Sequence, residues 1–475
     1  MKLLNIITSL FIINFLSCSK ENKNQESKLP NIILIYLDDM GYGDLTLTGA
    51  TGYRTPNLDK IAANGMFFSH YYSPQAVCSA SRAGLLTGCY PNRIGITGAL
   101  SHRSVVGISD DEETIAEVLK KKGYATAIFG KWHLGFQKQF LPVNHGFDEF
   151  YGIPYSHDMW PLHPTGSFPD LPLYENDTVI NPNLQPDDVA LFTAEFTRKT
   201  VEFIKRSQDK PFFVYLPNPL PHVPLYASKQ FKGKSGQGMY GDVMTEIDWG
   251  IGQIIKTLEE TGLDENTLVI FTSDNGPWLN YGNHAGTTGG LREGKGTTYE
   301  GGQRVPCLMM WKGVIPKGVV CNQLVSGIDI LPTLASVADA PLPLNKIDGV
   351  SLLPLLKGDI NSSPRETFYY YYRQNSLEAI RHGRWKLVFP HPGRTYVGFQ
   401  PGMDGEPGSL NNNYSHEGGL YDLRRDPGER YDVRESHPEI VELIENIARE
   451  ARLDLGDELH DEPGKNRREP GRISE

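Results

Sequence analysis

Side chains that carry oxygen donors follow two short apolar runs of the sequence, 32–37 and 268–271. They are Asp38 and Asp39 after the first run and Asp274 and Asn275 after the second. Either pair alone is typical of a turn or a helix cap, but two such pairs after buried runs predict a shared cation site. Carboxylate and amide oxygens bind the hard cations Ca²⁺ and Mg²⁺. Ca²⁺ is favoured because it accepts several protein oxygens in loose geometry.

A second group of candidate residues is basic. Its members are Arg82, Lys131, His133, His222 and Lys295. Taken singly, each is typical of a surface charge or of a hydrogen-bonded histidine. Beside a cation, they would together form a pocket for a small tetrahedral anion and would stabilise the charge that develops on a leaving oxygen. Lys295 also lies between two glycines, where the backbone can approach a ligand closely.

Cys78 lies just before a predicted helix, 79–86, whose N-terminus would favour an anion. On the residues alone, Cys78 is either a buried core cysteine or a thiol nucleophile. A simple cysteine hydrolase does not need a site for a hard divalent cation. The combination of Cys78 with the acidic group therefore indicates a different chemistry.

The elements that must position these side chains are apolar runs separated by helical patterns. The runs are 32–37, 125–129, 212–216, 268–271 and 308–311, and the helices are 56–65, 110–123, 189–206 and 240–261. Continuous apolar runs suit strands buried on both faces. Their alternation with helices predicts an α/β fold with a large, mixed but mostly parallel sheet flanked by helices. Ligands of such sheets bind at the carboxyl ends of the strands, so we expect the candidate residues to meet at one edge.

The character of the chain changes after about residue 362. Short strand patterns at 368–373, 378–380 and 385–389 precede a helical pattern at 437–453. We therefore expect a catalytic domain over residues 31–362 and a smaller C-terminal α+β subdomain over 363–455, with a short antiparallel sheet and a helix. Residues 456–475 are charged, and we expect them to form a mobile tail.

The first residues resemble an export signal. An apolar stretch ends at Cys18, so residues 1–17 are predicted to be a signal peptide and 18–30 a flexible polar tether. A signal that stops at a cysteine resembles that of a bacterial lipoprotein, in which Cys18 would carry lipid. A plain cleaved signal is the alternative. We expect an exported protein of a bacterial envelope, in the periplasm or anchored to the outer membrane, that contacts a membrane only through such an anchor.

The net charge and the cysteine spacing argue against a nucleic-acid-binding protein and against a thiolate zinc site. The formal net charge of −11 over 475 residues does not favour a nucleic-acid partner. No two cysteines have the CxxC spacing of a thiolate zinc site. If Cys18 and Cys78 are modified, one disulfide could form among Cys89, Cys307 and Cys321, and the sequence does not assign it.

The stretch that begins at Cys78 resembles the signature of the sulfatase family: Cys or Ser, any residue, Pro or Ala, any residue, Arg. Cys78, Ala80 and Arg82 match it, with Ala80 as the less common choice. Stretches with the family's order and spacing are also found at 37–44, 130–135, 273–276 and 294–302. Residues 151–158 resemble the branch of arylsulfatase A and N-acetylgalactosamine-6-sulfatase in particular.

The resemblance implies a nucleophile and a metal site. A formylglycine-generating enzyme would oxidise Cys78 to formylglycine, and its hydrated form would attack the sulfur of a sulfate ester. A calcium ion would be held by the modified Cys78 together with Asp38, Asp39, Asp274 and Asn275. Arg82 would support the hydrated aldehyde and its charge.

The resemblance also implies roles for the residues around the sulfate. His222 and Lys295 would bind the sulfate and help to protonate the leaving group. Lys131 and Ser156 would contact the sulfate, and His133 would act as the base for its release. Irregular loops rich in aromatic and histidine residues offer candidate sugar contacts, although such residues often simply pack. These candidates are His157, Trp160 and His284.

The substrate expected from export and from this branch is an aryl sulfate or a sulfated carbohydrate, for example a 6-sulfated galactose or N-acetylgalactosamine unit. Two alternatives remain open on the sequence. One is a phosphomonoester or phosphonate hydrolase of the same alkaline phosphatase superfamily. The other is a non-catalytic glycan-binding lipoprotein that keeps the fold.

Overall fold

The structure is a computed structural model that describes residues 28–473. The predicted signal peptide, Cys18 and most of the tether lie outside the described residues. In chain order, the strands are β1 (Asn31–Leu37), β2 (Met66–Tyr72), β3 (Val106–Gly107), β4 (Ala125–Lys131), β5 (Glu149–Ile153), β6 (Leu173–Glu175), β7 (Thr178–Asn181), β8 (Phe212–Asn218), β9 (Thr267–Ser273), β10 (Arg304–Met310), β11 (Val319–Cys321), β12 (Val325–Ser326), β13 (Thr367–Tyr372), β14 (Ser376–His382), β15 (Trp385–Val388), β16 (His391–Thr395), β17 (Asn411–His416), β18 (Gly419–Asp422) and β19 (Gly471–Arg472).

Helices connect the strands. They are α1 (Pro56–Ala63), α2 (Cys78–Thr87), α3 (Ile115–Lys120), α4 (Pro186–Val189), α5 (Phe192–Arg206), α6 (Gly238–Thr261), α7 (Glu300–Gln303), α8 (Ile330–Val337), α9 (Leu353–Leu356) and α10 (Pro438–Leu455). None of the helices within residues 28–473 is long and apolar enough to cross a membrane.

Eleven strands form the main sheet, in the order β11-β2-β10-β9-β1-β8-β4-β5-β6-β7 with β12 beside β2. Its centre is parallel, since β1 pairs in parallel with both β8 and β9. β10 runs antiparallel to β9 and β2, and β6 and β7 form an antiparallel edge. The predicted mixed, mostly parallel sheet flanked by helices is confirmed.

Both faces of the main sheet are buried, and β1 shows why its sequence is a continuous apolar run. Ile33, Ile35 and Leu37 belong to one hydrophobic core, whereas Ile32 and Leu34 belong to a second core on the opposite face. Successive side chains of a strand point to opposite faces. A strand covered by helices on both sides therefore needs an apolar residue at every position.

The C-terminal part contains a four-stranded antiparallel sheet, β13-β14-β15-β18, against which α10 packs. Buried charges join this sheet to the main domain. The Nζ atom of Lys386 lies 3.1 Å from Glu300 and 2.8 Å from Glu429. The predicted small antiparallel sheet with a closing helix is confirmed, while the proposed boundary at residue 362 stays a prediction.

The residues after Leu455 do not match the expected mobile tail. Asp457 is fully buried, and Gly471–Arg472 pairs with Val106–Gly107 as a small antiparallel ladder. The Arg468 guanidinium binds Glu112 with a contact of 2.8 Å between Nη2 and Oε2. Charged residues of this segment form ion pairs with the main domain, and the composition of the segment does not predict these pairs.

Some elements differ from the sequence prediction. The strand β2 was not predicted, because Ser69 and His70 interrupt its apolar pattern. The helix expected from residue 110 begins at Ile115 instead, because Thr114 caps it in a capping box with Glu117. The helix expected over 189–206 begins at Phe192 as α5, and the separate short helix α4 ends at Val189 before it.

Candidate active site

Four neighbouring strands of the main sheet deliver candidate residues to one edge. Their order in the sheet is β9, β1, β8, β4, and each strand is parallel to its neighbours. The carboxyl ends of all four strands therefore lie at the same edge of the sheet. The sequences there place Asp274 after β9, Asp38 after β1, His222 in the loop after β8 and Lys131 at the end of β4.

The acidic side chains at this edge form one buried group. The backbone N–H of Asp39 donates to Oδ1 of Asp274 at 3.1 Å. Nδ2 of Asn275 donates to Oδ1 of Asp39 at 2.7 Å. Asp38, Asp274 and Asn275 are fully buried. The structure therefore brings the four predicted oxygen-donor residues together.

This group fits a hard cation. Oδ1 of Asp38 and Oδ1 of Asn275 are buried and have no hydrogen-bond partner in the part of the chain that the structure describes. Leaving a buried acceptor unsatisfied costs about 1–3 kcal/mol, and a cation would satisfy both oxygens. Ligand atoms of Asp38, Asp39 and His222 also lie within 4.8 Å of one another. The oxygen-rich donor set suits a cation of the calcium type.

Three basic side chains balance the three carboxylates. Arg82 places Nη2 2.7 Å from Oδ2 of Asp274 and 3.1 Å from Oδ2 of Asp38. Lys131 Nζ lies 2.5 Å from Oδ2 of Asp38. Lys295 Nζ lies 2.7 Å from Oδ1 of Asp39. With a divalent cation added, the site would carry net positive charge and would attract an anion.

The same contacts set the protonation of the acids. Burial alone would raise the pKa of Asp38, but the charges of Lys131, His222 and Arg82 hold it well below its usual range. Burial and the neighbouring charge of Asp38 raise the pKa of Asp274 to about 7. A bound cation would favour the ionised form of both.

Cys78 is the first residue of α2 and is 3% exposed. Burial raises the pKa of its thiol to about 11, although Lys131 and Lys295 act in the opposite direction. Because the thiolate is the reactive form, an unmodified Cys78 would be a poor nucleophile at neutral pH. Arg82 follows four residues later and so lies on the same face of the helix.

The backbone is strained at two of the predicted residues. Asp39 has a φ of 62° and His133 a φ of 64°, in the left-handed region that residues other than glycine rarely occupy. Such strain persists only where the surrounding structure imposes it, and it is frequent at functional sites. The sequence gives no sign of this feature.

The contacts of His133 define which of its ring nitrogens carries the proton. Its Nε2 lies 2.8 Å from the carbonyl oxygen of Leu100, and because a carbonyl only accepts, Nε2 carries the proton. Burial, and next the charge of Lys131, holds the pKa of His133 well below its usual range. The other nitrogen, Nδ1, is therefore an acceptor, and it has no partner among the described residues.

A cavity of about 340 Å³ opens above these groups, and we name it the Cys78 cavity. The predicted residues on its wall are Cys78, His133, Ser156, His222 and Lys295. Ser156 Oγ has no hydrogen-bond partner in the described chain. Arg82 and Lys131 lie beneath this wall, where they bind the carboxylates.

Three predicted sugar contacts do not line the Cys78 cavity. His157 lies between Ser156 and Asp158 in the sequence, but unlike them it is not on the cavity wall. Its Nε2 atom lies 3.1 Å from the carbonyl oxygen of Pro224. Trp160 is 1% exposed and packs edge-on against Tyr226. His284 is half-buried and lies beside the loop at Gly405. Packing, rather than contact with this cavity, accounts for their positions.

Several wall residues were not predicted. They are Asp158, Trp278, Tyr372, Arg373, Gln374 and Arg394. Asp158 lies in a stretch that the family resemblance covers, and Trp278 follows soon after Asn275, so both had a local signal. Arg373 and Gln374 form the turn between β13 and β14 in the C-terminal sheet, and nothing in their sequence links them to this edge.

Comparison with known proteins decides the family. Residues 30–340 match the family description "Sulfatase", and residues 363–463 match "C-terminal region of aryl-sulfatase". The chain belongs to the sulfatase family. As a member it is a sulfuric ester hydrolase, which confirms the predicted class. Residues 294–391 also match the description "N-sulphoglucosamine sulphohydrolase, C-terminal".

The relatives of this sulfatase support the predicted branch. It is 41% identical to arylsulfatase A of Bos taurus over 87% of this chain and 85% of the relative. It is 37% identical to N-acetylgalactosamine-6-sulfatase of Canis lupus familiaris over 88% of this chain and 84% of the relative. The resemblance to this branch is confirmed.

Solved structures agree with the fold. A protein from a study of glycosaminoglycan metabolism by Bacteroides thetaiotaomicron superposes with a TM-score of 0.78 at 30% identity, over 90% of this chain and all of the other. The PsFucS1 sulfatase of Pseudoalteromonas gives a TM-score of 0.78 at 28% identity, over 90% of this chain and 91% of the other. A phosphonate monoester hydrolase of Agrobacterium radiobacter, at 19% identity and a TM-score of 0.59, covers 88% of this chain and 95% of the other and shares the fold alone.

Proposed function

We propose that this sulfatase removes sulfate from a sulfated glycan, with calcium bound at the acidic group and with Cys78 converted to formylglycine. The observation that carries the proposal is the buried charge arrangement. Three aspartates pair with three cations next to Cys78, and among the described residues the buried oxygens Oδ1 of Asp38 and Oδ1 of Asn275 lack hydrogen-bond partners. A cation added to a balanced site leaves positive charge for the sulfate.

The side chains that would hold calcium are Asp38, Asp39, Asp274 and Asn275, with the modified Cys78. When bound, calcium would neutralise sulfate oxygens, and formylglycine would supply a hydrated aldehyde as the nucleophile. The protein's own contribution is to fix these groups. Arg82 binds Asp38 and Asp274 at once, so it sets the spacing of two predicted ligands.

We assign sulfate binding to His222 and Lys295, which face the Cys78 cavity from opposite loops. The Lys295 ammonium group is fixed in place by Asp39 and lies 4.5 Å from the centre of the Trp278 ring. The Lys295 ammonium group can donate hydrogen bonds to sulfate and to the leaving oxygen. Nδ1 of His222 already donates to the carbonyl oxygen of Val223, so His222 would donate to the sulfate through Nε2 in its protonated form. The Ser156 hydroxyl lies on the same wall, has no hydrogen-bond partner among residues 28–473 and would contact the sulfate, as would Lys131 from beneath the wall.

His133 would accept the proton that must leave the nucleophile before sulfate is released. Its unprotonated Nδ1 and its place on the wall of the Cys78 cavity support this role. The lowered pKa keeps the imidazole neutral, and therefore able to accept a proton, at neutral pH.

A glycan substrate is supported by the wall residues and by the relatives. Trp278 and Tyr372 offer aromatic surface, while Asp158 and Arg394 offer hydrogen-bonding groups for sugar hydroxyls. N-acetylgalactosamine-6-sulfatases are among the relatives, so a 6-sulfated galactose or N-acetylgalactosamine unit is the candidate we propose first. An exported location and a lipid on Cys18 would bring the enzyme to such glycans.

The proposal is tested by sulfate release after co-expression with a formylglycine-generating enzyme. Substrates are an aryl sulfate and 6-sulfated galactose, N-acetylgalactosamine and N-acetylglucosamine. We expect calcium-dependent sulfate release, and we expect Cys78→Ala to abolish it. Cys321 is a second buried cysteine, and the control variant Cys321→Ala should still release sulfate. Release that persists in Cys78→Ala would contradict the proposed nucleophile.

A further inference from the structure

A second cavity, of about 640 Å³, lies where the main sheet meets the C-terminal sheet. We name it the basic cleft. It shares no wall residue with the Cys78 cavity. The two cavities adjoin opposite ends of β13, since Glu366 precedes the strand at the basic cleft and Tyr372 ends it at the Cys78 cavity. Six residues of a strand separate its ends by about 17 Å.

The wall of the basic cleft is strongly positive, whereas the whole chain carries a formal charge of −11. One carboxylate, Glu366, is found on the wall among the described residues, beside His70 and His382. The arginines on the wall are Arg304, Arg365, Arg381, Arg384 and Arg424. Arginines collected on one wall repel one another, so a bound anion would stabilise those whose carboxylate partners are more distant.

Two of these arginines already have structural partners. The Arg365 guanidinium forms a pair with Asp329, with 2.5 Å between Nη2 and Oδ1. Arg381 donates to the hydroxyl of Tyr72 and, through Nε at 2.9 Å, to the carbonyl oxygen of Gly383. These two residues shape the wall, and their charges add to the local potential.

The other three arginines retain free donors. Arg304 is 7% exposed, its Nη1 has no hydrogen-bond partner in the described chain, and the nearest carboxylate, Glu300, is 3.7 Å from Nη1. Arg384 stacks on Trp385 and lies 3.8 Å from Asp422. Arg424 is exposed, and no side-chain hydrogen bond is found for it within residues 28–473.

The local field also acts on His70. Burial, and then the charges of Arg304 and Arg381, lower the pKa of His70 to about 3. The imidazole is therefore neutral at ordinary pH, and the positive charge of the cleft comes from the arginines. An anion bound in the cleft would partly neutralise the charges of the two arginines that lower the pKa of His70.

Guanidinium groups present parallel N–H donors that match the oxygens of a sulfate or phosphate group. A cavity of this size holds a sugar-sized ligand rather than a single small ion. Given the proposed function, the oxyanion-bearing sugar most available to this enzyme is its own sulfated substrate. From this we infer that the basic cleft is a second, non-catalytic binding site for sulfated saccharide. It would hold the substrate glycan at a distance from the Cys78 cavity.

The inference is tested by titration calorimetry on the full chain carrying Cys78→Ala, so that binding is measured without turnover. The probes are a sulfated disaccharide, the same disaccharide without sulfate, its phosphorylated counterpart and inorganic sulfate. We expect two binding sites for the sulfated disaccharide. Arg384→Glu with Arg424→Glu should weaken one of them at least tenfold.

Arg425→Glu is the matched control for Arg424→Glu measured alone, because it makes the same charge change at the neighbouring residue, which is not on the wall of the cleft. Arg304→Gln offers a second, charge-removing variant of the cleft. One saccharide site, unchanged by the cleft variants, would overturn the inference. Equal binding of inorganic sulfate, of the phosphorylated sugar or of the sugar without sulfate would also overturn it. Failure of sulfate release would count against the proposed function alone, since this binding does not need turnover.

Discussion

The Cys78 cavity and the basic cleft both concentrate positive charge, but they pair it differently. Each cation beneath or beside Cys78 contacts an aspartate within 3.1 Å. In the basic cleft, Arg304 and Arg384 lie 3.7 Å or more from their nearest carboxylates. Close carboxylate partners hold a cation in a fixed position, whereas a cation with a more distant partner keeps more of its donors for a ligand. The comparison therefore assigns fixed catalytic geometry, including the proposed sulfate contacts, to the Cys78 region and additional binding of ligand to the basic cleft.

The largest expected effect is the loss of Arg82. Arg82→Ala leaves Asp38 and Asp274 buried without their shared partner, which we expect to cost about 3–5 kcal/mol of unfolding free energy. Arg424→Ala in the basic cleft should change it by less than about 0.5 kcal/mol, because that side chain is exposed. Urea unfolding measures both. Equal losses of unfolding free energy for the two substitutions would contradict the proposed difference between the two regions.

Removal of Lys295 should affect both catalysis and stability. The loss of one donor to developing charge lowers kcat by about 10²–10³-fold, so Lys295→Ala should show such a loss. It should also lower the unfolding temperature, because Asp39 is left buried without its cation. Lys346→Ala, on an exposed lysine, is the control. Steady-state kinetics on an aryl sulfate make the measurement. A lowered unfolding temperature with normal kcat would place Lys295 among structural cations instead.

Calcium should stabilise the Cys78 region and not the basic cleft. At one hundred times its dissociation constant, a ligand that binds only the folded state adds about 2.7 kcal/mol. We therefore expect calcium to raise the unfolding temperature and a chelator to lower it. Asn275→Leu should remove this response, and Arg384→Glu should keep it. A response that survives Asn275→Leu would place the cation elsewhere.

Acid should weaken the protein partly through the basic cleft. The pKa of His70 is about 3 in the folded chain against 6.5 ordinarily, so only the unfolded chain takes up this proton between those values. The His70 contribution is complete above pH 6.5 and falls as the pH is lowered, by about 2 kcal/mol between pH 6.5 and 5. His70→Gln should flatten this part of the stability profile. An unchanged profile would show that His70 is not held neutral.

The sequence was sufficient for five adjacent strands of the main sheet, β10, β9, β1, β8 and β4, and for the candidate residues at their edge. Runs such as β1 are apolar throughout because both faces of the sheet are covered, and Asp38 and Asp274 stand where two of those runs end. Local patterns do not show which side of a loop faces a cavity. Ser156 and Asp158 reach the Cys78 cavity, while His157 between them does not.

Contacts between distant segments were also beyond prediction. Arg373 and Gln374 reach the Cys78 cavity only because the C-terminal sheet docks on the main domain through buried pairs such as Lys386 with Glu300. The final segment is fixed by Arg468 and Glu112 in the same way. Such pairs form only in the assembled fold, and the spacing of residues in the sequence does not predict them.

The central claim is tested most directly by comparing sulfate and phosphate esters of one 6-substituted galactose or N-acetylgalactosamine. The enzyme is the wild type co-expressed with the maturation enzyme, beside Cys78→Ala, and kcat/KM is the measurement. We predict that wild type cleaves the sulfate ester with a kcat/KM far above that for the phosphate ester, and that Cys78→Ala cleaves neither. Preference for the phosphate ester, or sulfate release that survives Cys78→Ala, would contradict the account.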